Sequence, residues 1–308
     1  MPFRRCAFVF PGQGSQRPGM LDNVPENDTF SRLVDAAEAL SGLELAEISR
    51  LGSVDDLADT RIAQPLLYLT DWAWGVALLE SGIEPVALAG HSLGEFAALA
   101  IAGVFSPEAG LELVIERSKL MATQAHATAG TMAAVLGMDP ELLKAAVSGL
   151  PDVWVANDNS DGQVVISGTF AGIEAATAAL SEAGARRIVP LKVAGAFHSP
   201  LMDPAREAFQ TILDSAELRD ATIPVLQNTV PEATTDAGVI RQRLARQISE
   251  PVRWRETMAA LVAEGPTVMV EAGPGSVLRG LARGVPGMTA LSVEDAGIEQ
   301  VMEEVLES

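Results

Sequence analysis

This chain of 308 residues has little cysteine, little histidine and few basic residues. The single cysteine, Cys6, excludes an internal disulfide and fits a reducing compartment; within its apolar run it reads as a buried structural thiol. Three histidines and one cysteine, no two of them at metal-ligand spacing, argue against a metal centre. Lysine and arginine total 21 against 41 acidic residues, a formal charge of −20. Such a surface repels nucleic acid, and no basic run is interleaved with aromatics. No apolar stretch reaches membrane-spanning length, and the N-terminus MPFRRCAFVFPGQG has too short an apolar run for a secretory signal. A cytoplasmic enzyme is the expectation. Internal repeats and low-complexity linkers are lacking too.

What remains is an ordinary globular balance, 48% hydrophobic and 20% charged, in a chain long enough for a large domain with an insertion. CAFVF (6–10) and VALAG (86–90) read as buried strands, and 31–40, 64–81 and the two segments after the second strand as helices. This alternation implies a parallel sheet covered by helices. The middle differs. TMAAVLG, DPELLKAAVSGL, VWVAN, QVVISG, GIEAATAALSEAG and RRIVPLKVAG follow one another as β-α-β-β-α-β, the ferredoxin-like order. The spacing predicts an α/β core formed by 1–127 and 195–308, interrupted by a ferredoxin-like subdomain at 128–194. After residue 195, IPVLQN, TVMVE and MTALSV read as strands, between helices over VIRQRLARQI, VRWRETMAALVAEG and the C-terminus.

LAGHSLGEFAAL (88–99) carries the chemistry. A strand runs into Gly-His-Ser-Leu-Gly and leaves as a helix, and glycines two residues either side of Ser92 remove side chains that would collide at a sharp turn. The turn sets Ser92 at a helix N-terminus, where backbone N–H groups favour a developing oxyanion. Ser92 is therefore a candidate nucleophile for acyl transfer, to water or to another acceptor. It needs a base. His91, beside it at a tight turn, should point elsewhere and pack around the elbow. His126 ends an apolar helix, suited to terminal carbonyls. By elimination His198, in the loop AGAFHSPLM, is the candidate base. In common α/β-hydrolases the histidine follows the last strand, and here none occurs after 198, which argues against an ordinary esterase.

Arg117 shares a helix face with Leu113, Val114, Leu120 and Met121. A guanidinium in an apolar stripe calls for an anion, and it matches a carboxylate with two parallel hydrogen bonds. That anion could be a substrate carboxylate, or Glu112 or Glu116; snorkelling to solvent is a third reading.

Taken in order, FPGQGSQ (10–16), GHSLGE (90–95), the Arg117 helix, NDNSDGQVVISG (157–168), AFHSPLM (196–202), QISEPVRW (247–254) and EAGPG (271–275) resemble the malonyl-CoA:acyl-carrier-protein transacylases along essentially the whole chain. The resemblance implies an α/β-hydrolase-like core with a ferredoxin-like insertion and a ping-pong transfer without cofactor. In that cycle Ser92 takes the malonyl group from malonyl-CoA, His198 is base and then acid, and the acceptor is the phosphopantetheine thiol of acyl carrier protein. It further implies an oxyanion hole from the N–H groups of Gln13 and Leu93, Arg117 on the malonyl carboxylate, and a Gln247 main-chain carbonyl orienting His198 in place of a triad acid. Phe197, in Gly195-Ala196-Phe197, should help exclude a 2-methyl branch. Asn157 and Asn159 match asparagines near the family's site without a definite role.

The carrier proteins of this family are acidic, so a chain of charge −20 needs local steering. Arg241, Arg243, Arg246, Arg253 and Arg255 are candidates for carrier or CoA phosphate contacts, or else a solvated helix face. A thioesterase or esterase using water, a polyketide-pathway acyltransferase and a non-catalytic carrier-binding subunit are the competing readings.

Overall fold

The computed structural model describes residues 4–25 and 27–306; the outermost residues of the expected core, 1–3 and 307–308, lie outside it. Its larger sheet has six strands: β1 (Cys6–Phe10), β2 (Pro85–Gly90), then β7 (Val225–Leu226), β8 (Ala233–Thr234), β9 (Val268–Glu271) and β10 (Thr289–Ser292), in the order β10-β9-β1-β2-β7-β8. All neighbours pair in parallel except β7 and β8, whose short antiparallel edge the strand pattern did not predict. The remaining strands, β3 (Thr131–Leu136), β4 (Val153–Ser160), β5 (Gln163–Gly168) and β6 (Arg187–Pro190), form an antiparallel sheet in the order β4-β5-β3-β6. With the helices Pro140–Ser148 and Phe170–Glu182 this is the ferredoxin-like unit, and the expected α/β class holds.

Strand β1 shows why the central strands read as unbroken apolar runs. Phe8 and Phe10 enter one core cluster, while Ala7 and Val9 enter another on the opposite face of the sheet. Both faces are covered, so alternation of polar and apolar residues is absent. The helix Thr60–Glu80 is buried over most of its length, packed against the helices Gly94–Ile101 and Pro107–Ala127.

Two expected strands are shorter than their apolar runs. RRIVPLKVAG keeps only Arg187–Pro190: Leu191 N–H still donates to Met132 O at 2.9 Å, and the chain then leaves the sheet edge so that Leu191 and Val193 line the cleft with Ser92. IPVLQN keeps only Val225–Leu226, because Gln227 and Asn228 turn their hydrogen bonds to the buried Glu95. Conversely β4 runs on to Ser160, so the turn to β5 is the two-residue Asp161-Gly162, a favoured hairpin pair. The small sheet is tied to the larger unit beside the cleft: Asn157 of β4 bridges Val252 in the loop before the helix Trp254–Ala263, with Val252 N–H to Ala156 O at 2.8 Å and Asp158 N–H to Val252 O at 2.9 Å. Among the described residues no helix is long and apolar enough to cross a membrane.

Candidate active site

Strand β2 ends at Gly90, and the helix Gly94–Ile101 begins four residues later. Between them Ser92 adopts φ 49°, a left-handed conformation costing on the order of 1 kcal/mol for a non-glycine residue. The flanking glycines are obligatory. A Cβ on Gly90 would lie 2.0 Å from the carbonyl carbon of Gly94, and one on Gly94 would lie 2.1 Å from the carbonyl oxygen of Phe10. Strand, elbow and β1 approach more closely than any side chain permits.

Ser92 Oγ lies 2.8 Å from His198 Nε2. His198 is buried, also at a positive φ of 56°, and its backbone N–H is held by Ile248 O at 3.2 Å. On the far side of the ring, Nδ1 faces the main-chain carbonyls of Gln247 at 2.9 Å and Glu250 at 3.2 Å. Carbonyls only accept, so they fix Nδ1 as the protonated nitrogen and leave Nε2 free to accept from Ser92. Burial lowers the imidazole pKa to about 3, assisted by the positive charge of Arg117 and by His91; the two carbonyls pull weakly the other way. The ring is thus neutral at physiological pH.

Arg117 is fully buried, and neither Glu112 nor Glu116 meets it; Glu116 pairs with Lys119. Its guanidinium donates to Gln64 Oε1 at 2.7 Å, Gln247 Oε1 at 2.9 Å and Ser92 Oγ at 3.1 Å, and lies over the Phe96 ring. Burial lowers its pKa to about 10, opposed by the charge of Glu95, so it stays cationic. A buried cation held by neutral amide oxygens beside the serine can take a further, anionic partner in the cleft. Snorkelling is excluded by the burial.

Gln13, Leu93, Asn157 and Phe197 line the same cleft as Ser92, His198 and Arg117, with Met121, Met132, Leu191 and Val193 forming its apolar wall. Among the described residues neither the Gln13 nor the Leu93 amide is taken by another backbone acceptor. The carboxamide oxygen of Asn157 is buried without a hydrogen-bond partner among the described residues. His91 turns away from Ser92: its Nε2 meets Asn159 Oδ1 at 2.8 Å and its ring tilts against Trp254. His126 is exposed and does not line the cleft.

Sequence reasoning passed over three residues. Gln64 and the side chain of Gln247 bracket the guanidinium, and Gln247 Nε2 also donates to Ser92 O at 2.6 Å. Asn228 accepts the Ser92 N–H at 2.6 Å. A glutamine inside the apolar run IAQPLLYL was the one available signal.

The five arginines of 241–255 are not an open cationic patch. Arg241 donates to the carbonyls of Leu213 and Ala216, Arg243 to Glu232 O, and Arg253 pairs with Glu256. Arg255 grips Asp158 with two hydrogen bonds, at 2.9 and 2.8 Å. Only Arg246, 3.7 Å from Glu250, is loosely held. These side chains fasten loops and tie the helix Trp254–Ala263 to β4, which a run of charges in a sequence does not reveal.

Comparison with known proteins agrees with this geometry. The acyl transferase domain family matches residues 7–296. The malonyl CoA-acyl carrier protein transacylase of Bacillus subtilis is 41% identical over 286 residues, covering 91% of this chain and 90% of its own. The crystal structure of the Synechocystis sp. PCC 6803 malonyl-CoA:ACP transacylase superposes with a TM-score of 0.87 at 41% identity, over 94% of this chain and 96% of that one. A malonyl-transacylase solved in complex with a type II PKS acyl-carrier protein gives a TM-score of 0.90 at 33% identity, over 99% of this chain and 100% of that one. With the elbow serine, the carbonyl-held histidine and the buried arginine in one cleft, these matches show that the chain belongs to the malonyl-CoA:acyl-carrier-protein transacylase family of acyl transferases.

Proposed function

We propose that this protein transfers a malonyl group from malonyl-CoA to the phosphopantetheine thiol of acyl carrier protein through a malonyl-Ser92 ester. His198 Nε2 takes the hydroxyl proton as Ser92 Oγ attacks the thioester carbonyl. The oxyanion forms against the Gln13 and Leu93 amides. The intermediate collapses as His198 returns the proton to the departing CoA sulfur. In the second half, the carrier thiol gives its proton to His198 and attacks the ester, and Ser92 recovers the proton as it leaves. Side chains and the substrate thioester suffice, and no cofactor takes part.

The observation that carries this reading is Arg117, fully buried and 3.1 Å from Ser92 Oγ, with no carboxylate among the described residues hydrogen-bonded to it. The malonyl carboxylate supplies that missing anion. Phe197, in the cleft wall, opposes a branch at malonyl C2. The lone buried Cys6 and a CoA thioester substrate support a cytoplasmic setting. We take 1–127 with 195–308 as the catalytic core and 128–194 as the subdomain that closes over it, since β4 supplies Asn157 to the cleft.

Incubation with malonyl-CoA followed by intact-mass measurement tests the reading. A malonyl adduct that moves to added carrier protein and is absent in Ser92→Ala is expected. No adduct in the wild type, or one that persists in Ser92→Ala, overturns it.

A further inference from the structure

The parallel ladder between β2 and β7 stops early, yet the hydrogen bonds it would have made continue. Leu88 is in register with Val225 and Ala89 with Leu226, so the same register sets His91 opposite Asn228. In a parallel pair, a residue bonds to the carbonyl before its partner and the N–H after it. The Asn228 side chain makes this pair of bonds: Nδ2 donates to Gly90 O at 2.6 Å and Oδ1 accepts from Ser92 N–H at 2.6 Å. The backbone of Asn228 has meanwhile left the sheet. Its N–H donates to Glu95 Oε2 at 2.9 Å, and its carbonyl accepts from Arg253 N–H at 3.0 Å. Glu95, fully buried in the helix that follows the elbow, also accepts from Gln227 Nε2 at 2.9 Å. On the other side of the strand, His91 N–H is held by Phe10 O at 2.9 Å.

We propose that Asn228 is a positioning residue for acyl transfer, its carboxamide standing in for a strand backbone and clamping the nucleophile elbow at Gly90 and Ser92. A regular strand could bond both peptides, but it would carry the β7 backbone on along the elbow. The side chain makes the same two bonds while the main chain turns to hold Glu95, so one residue fixes the strand end, the serine and the first turn of the helix. Its bond also occupies the Ser92 N–H, which leaves the oxyanion to the Leu93 amide one peptide further on. Asn228 does not line the substrate cleft, so it acts through Ser92.

This inference rests on the acyl-enzyme reading above. The test is single-turnover acylation by malonyl-CoA in wild type, Asn228→Ala and Asn228→Asp, with folding followed by circular dichroism and malonyl-CoA affinity measured in a Ser92→Ala background. Asn228→Ala should slow acylation at saturating malonyl-CoA by about 10²-fold, the usual cost of a misplaced reacting group. Its effect on affinity in the Ser92→Ala background should stay within about twofold. Asn228→Asp keeps the acceptor for Ser92 N–H but, when ionised, cannot donate to Gly90 O. Its rate relative to wild type should therefore rise as pH falls from 8 to 6 and the buried carboxyl gains a proton. If Asn228→Ala does not fold, the pH-dependent ratio in Asn228→Asp decides alone. Wild-type rates in both variants, an affinity loss equal to the rate loss, or a pH-independent Asn228→Asp ratio would overturn the proposal. A wild-type protein that forms no Ser92 adduct would instead remove the acyl-enzyme reading beneath it.

Discussion

His198 Nδ1 is held by the main-chain carbonyl of Gln247 at 2.9 Å, where a catalytic triad has a carboxylate. The carbonyl orients the ring and selects its tautomer, but it adds no full negative charge to stabilise an imidazolium. Burial beside Arg117 then keeps the imidazole pKa low, to about 3. Acylation by malonyl-CoA should accordingly show no loss of rate centred near pH 6.5, the ordinary histidine value, and should hold its plateau to about pH 5. A pre-steady-state pH profile checks this; an acid limb near 6.5 contradicts it.

The same group gives a stability prediction of definite sign. Its folded pKa is below its unfolded value of 6.5, so between about 3 and 6.5 the unfolded chain binds the extra proton. The contribution is complete above pH 6.5 and is lost as pH falls, by up to about 1.4 kcal/mol per pH unit. His198→Gln should flatten the pH dependence of denaturant-derived stability in this window relative to wild type.

Arg117→Ala should reduce malonyl transfer by about 10²-fold or more while reducing acetyl transfer far less, because acetyl has no carboxylate to lose. Parallel assays with malonyl-CoA and acetyl-CoA measure the split. Equal losses would mean that the guanidinium serves only Ser92 and its surroundings.

Gln247→Ala leaves the main-chain carbonyl on His198 but removes the side chain that joins Arg117 to Ser92 O. It should lower malonyl transfer by about tenfold, through lost positioning of both groups, without changing the shape of the pH profile. Rate and pH dependence measured together separate the two parts of this residue.

Asp71 is fully buried with neither carboxylate oxygen hydrogen-bonded among the described residues, and Gly273 of the EAGPG turn has no room for a Cβ, which would lie 2.2 Å from Asp71 Oδ1. Burial, with the nearby Glu271, raises its pKa well above the usual carboxylate range. Unfolding above pH 4 therefore releases a proton, and this group costs more stability as pH rises. Asp71→Asn should raise the thermal midpoint, with a gain that grows from pH 4 to pH 7; a gain independent of pH would refute the assignment.

Much of the fold was legible because its strands obey rules local to the chain. CAFVF, VALAG and TVMVE are buried on both faces and read as strands without alternation, and the βαββαβ order needs only element sequence to recognise. Gly90 and Gly94 announced the elbow because a Cβ at either position would lie only 2.0 or 2.1 Å from backbone atoms. The ends of β6 and β7 were not legible. β7 ends where Gln227 and Asn228 turn to the buried Glu95, a long-range partner that no window of apolar residues contains.

By itself, then, the chain pointed to a candidate nucleophile, a candidate base by elimination, and a cation within an apolar helix stripe, since each follows from residue type and spacing. Tertiary structure alone decided what those groups face. Arg117 meets Gln64 and Gln247, 53 and 130 residues away, instead of the glutamates beside it on its own helix. The arginines of 241–255 become struts because their partners are carbonyls and carboxylates brought to them by folding. Asn228 reaches Ser92 across 136 residues of chain because β2 and β7 are neighbours in the sheet. Hydrogen bonds and charge pairing act over a few ångströms of space, and only the packed sheet brings these distant segments within that range.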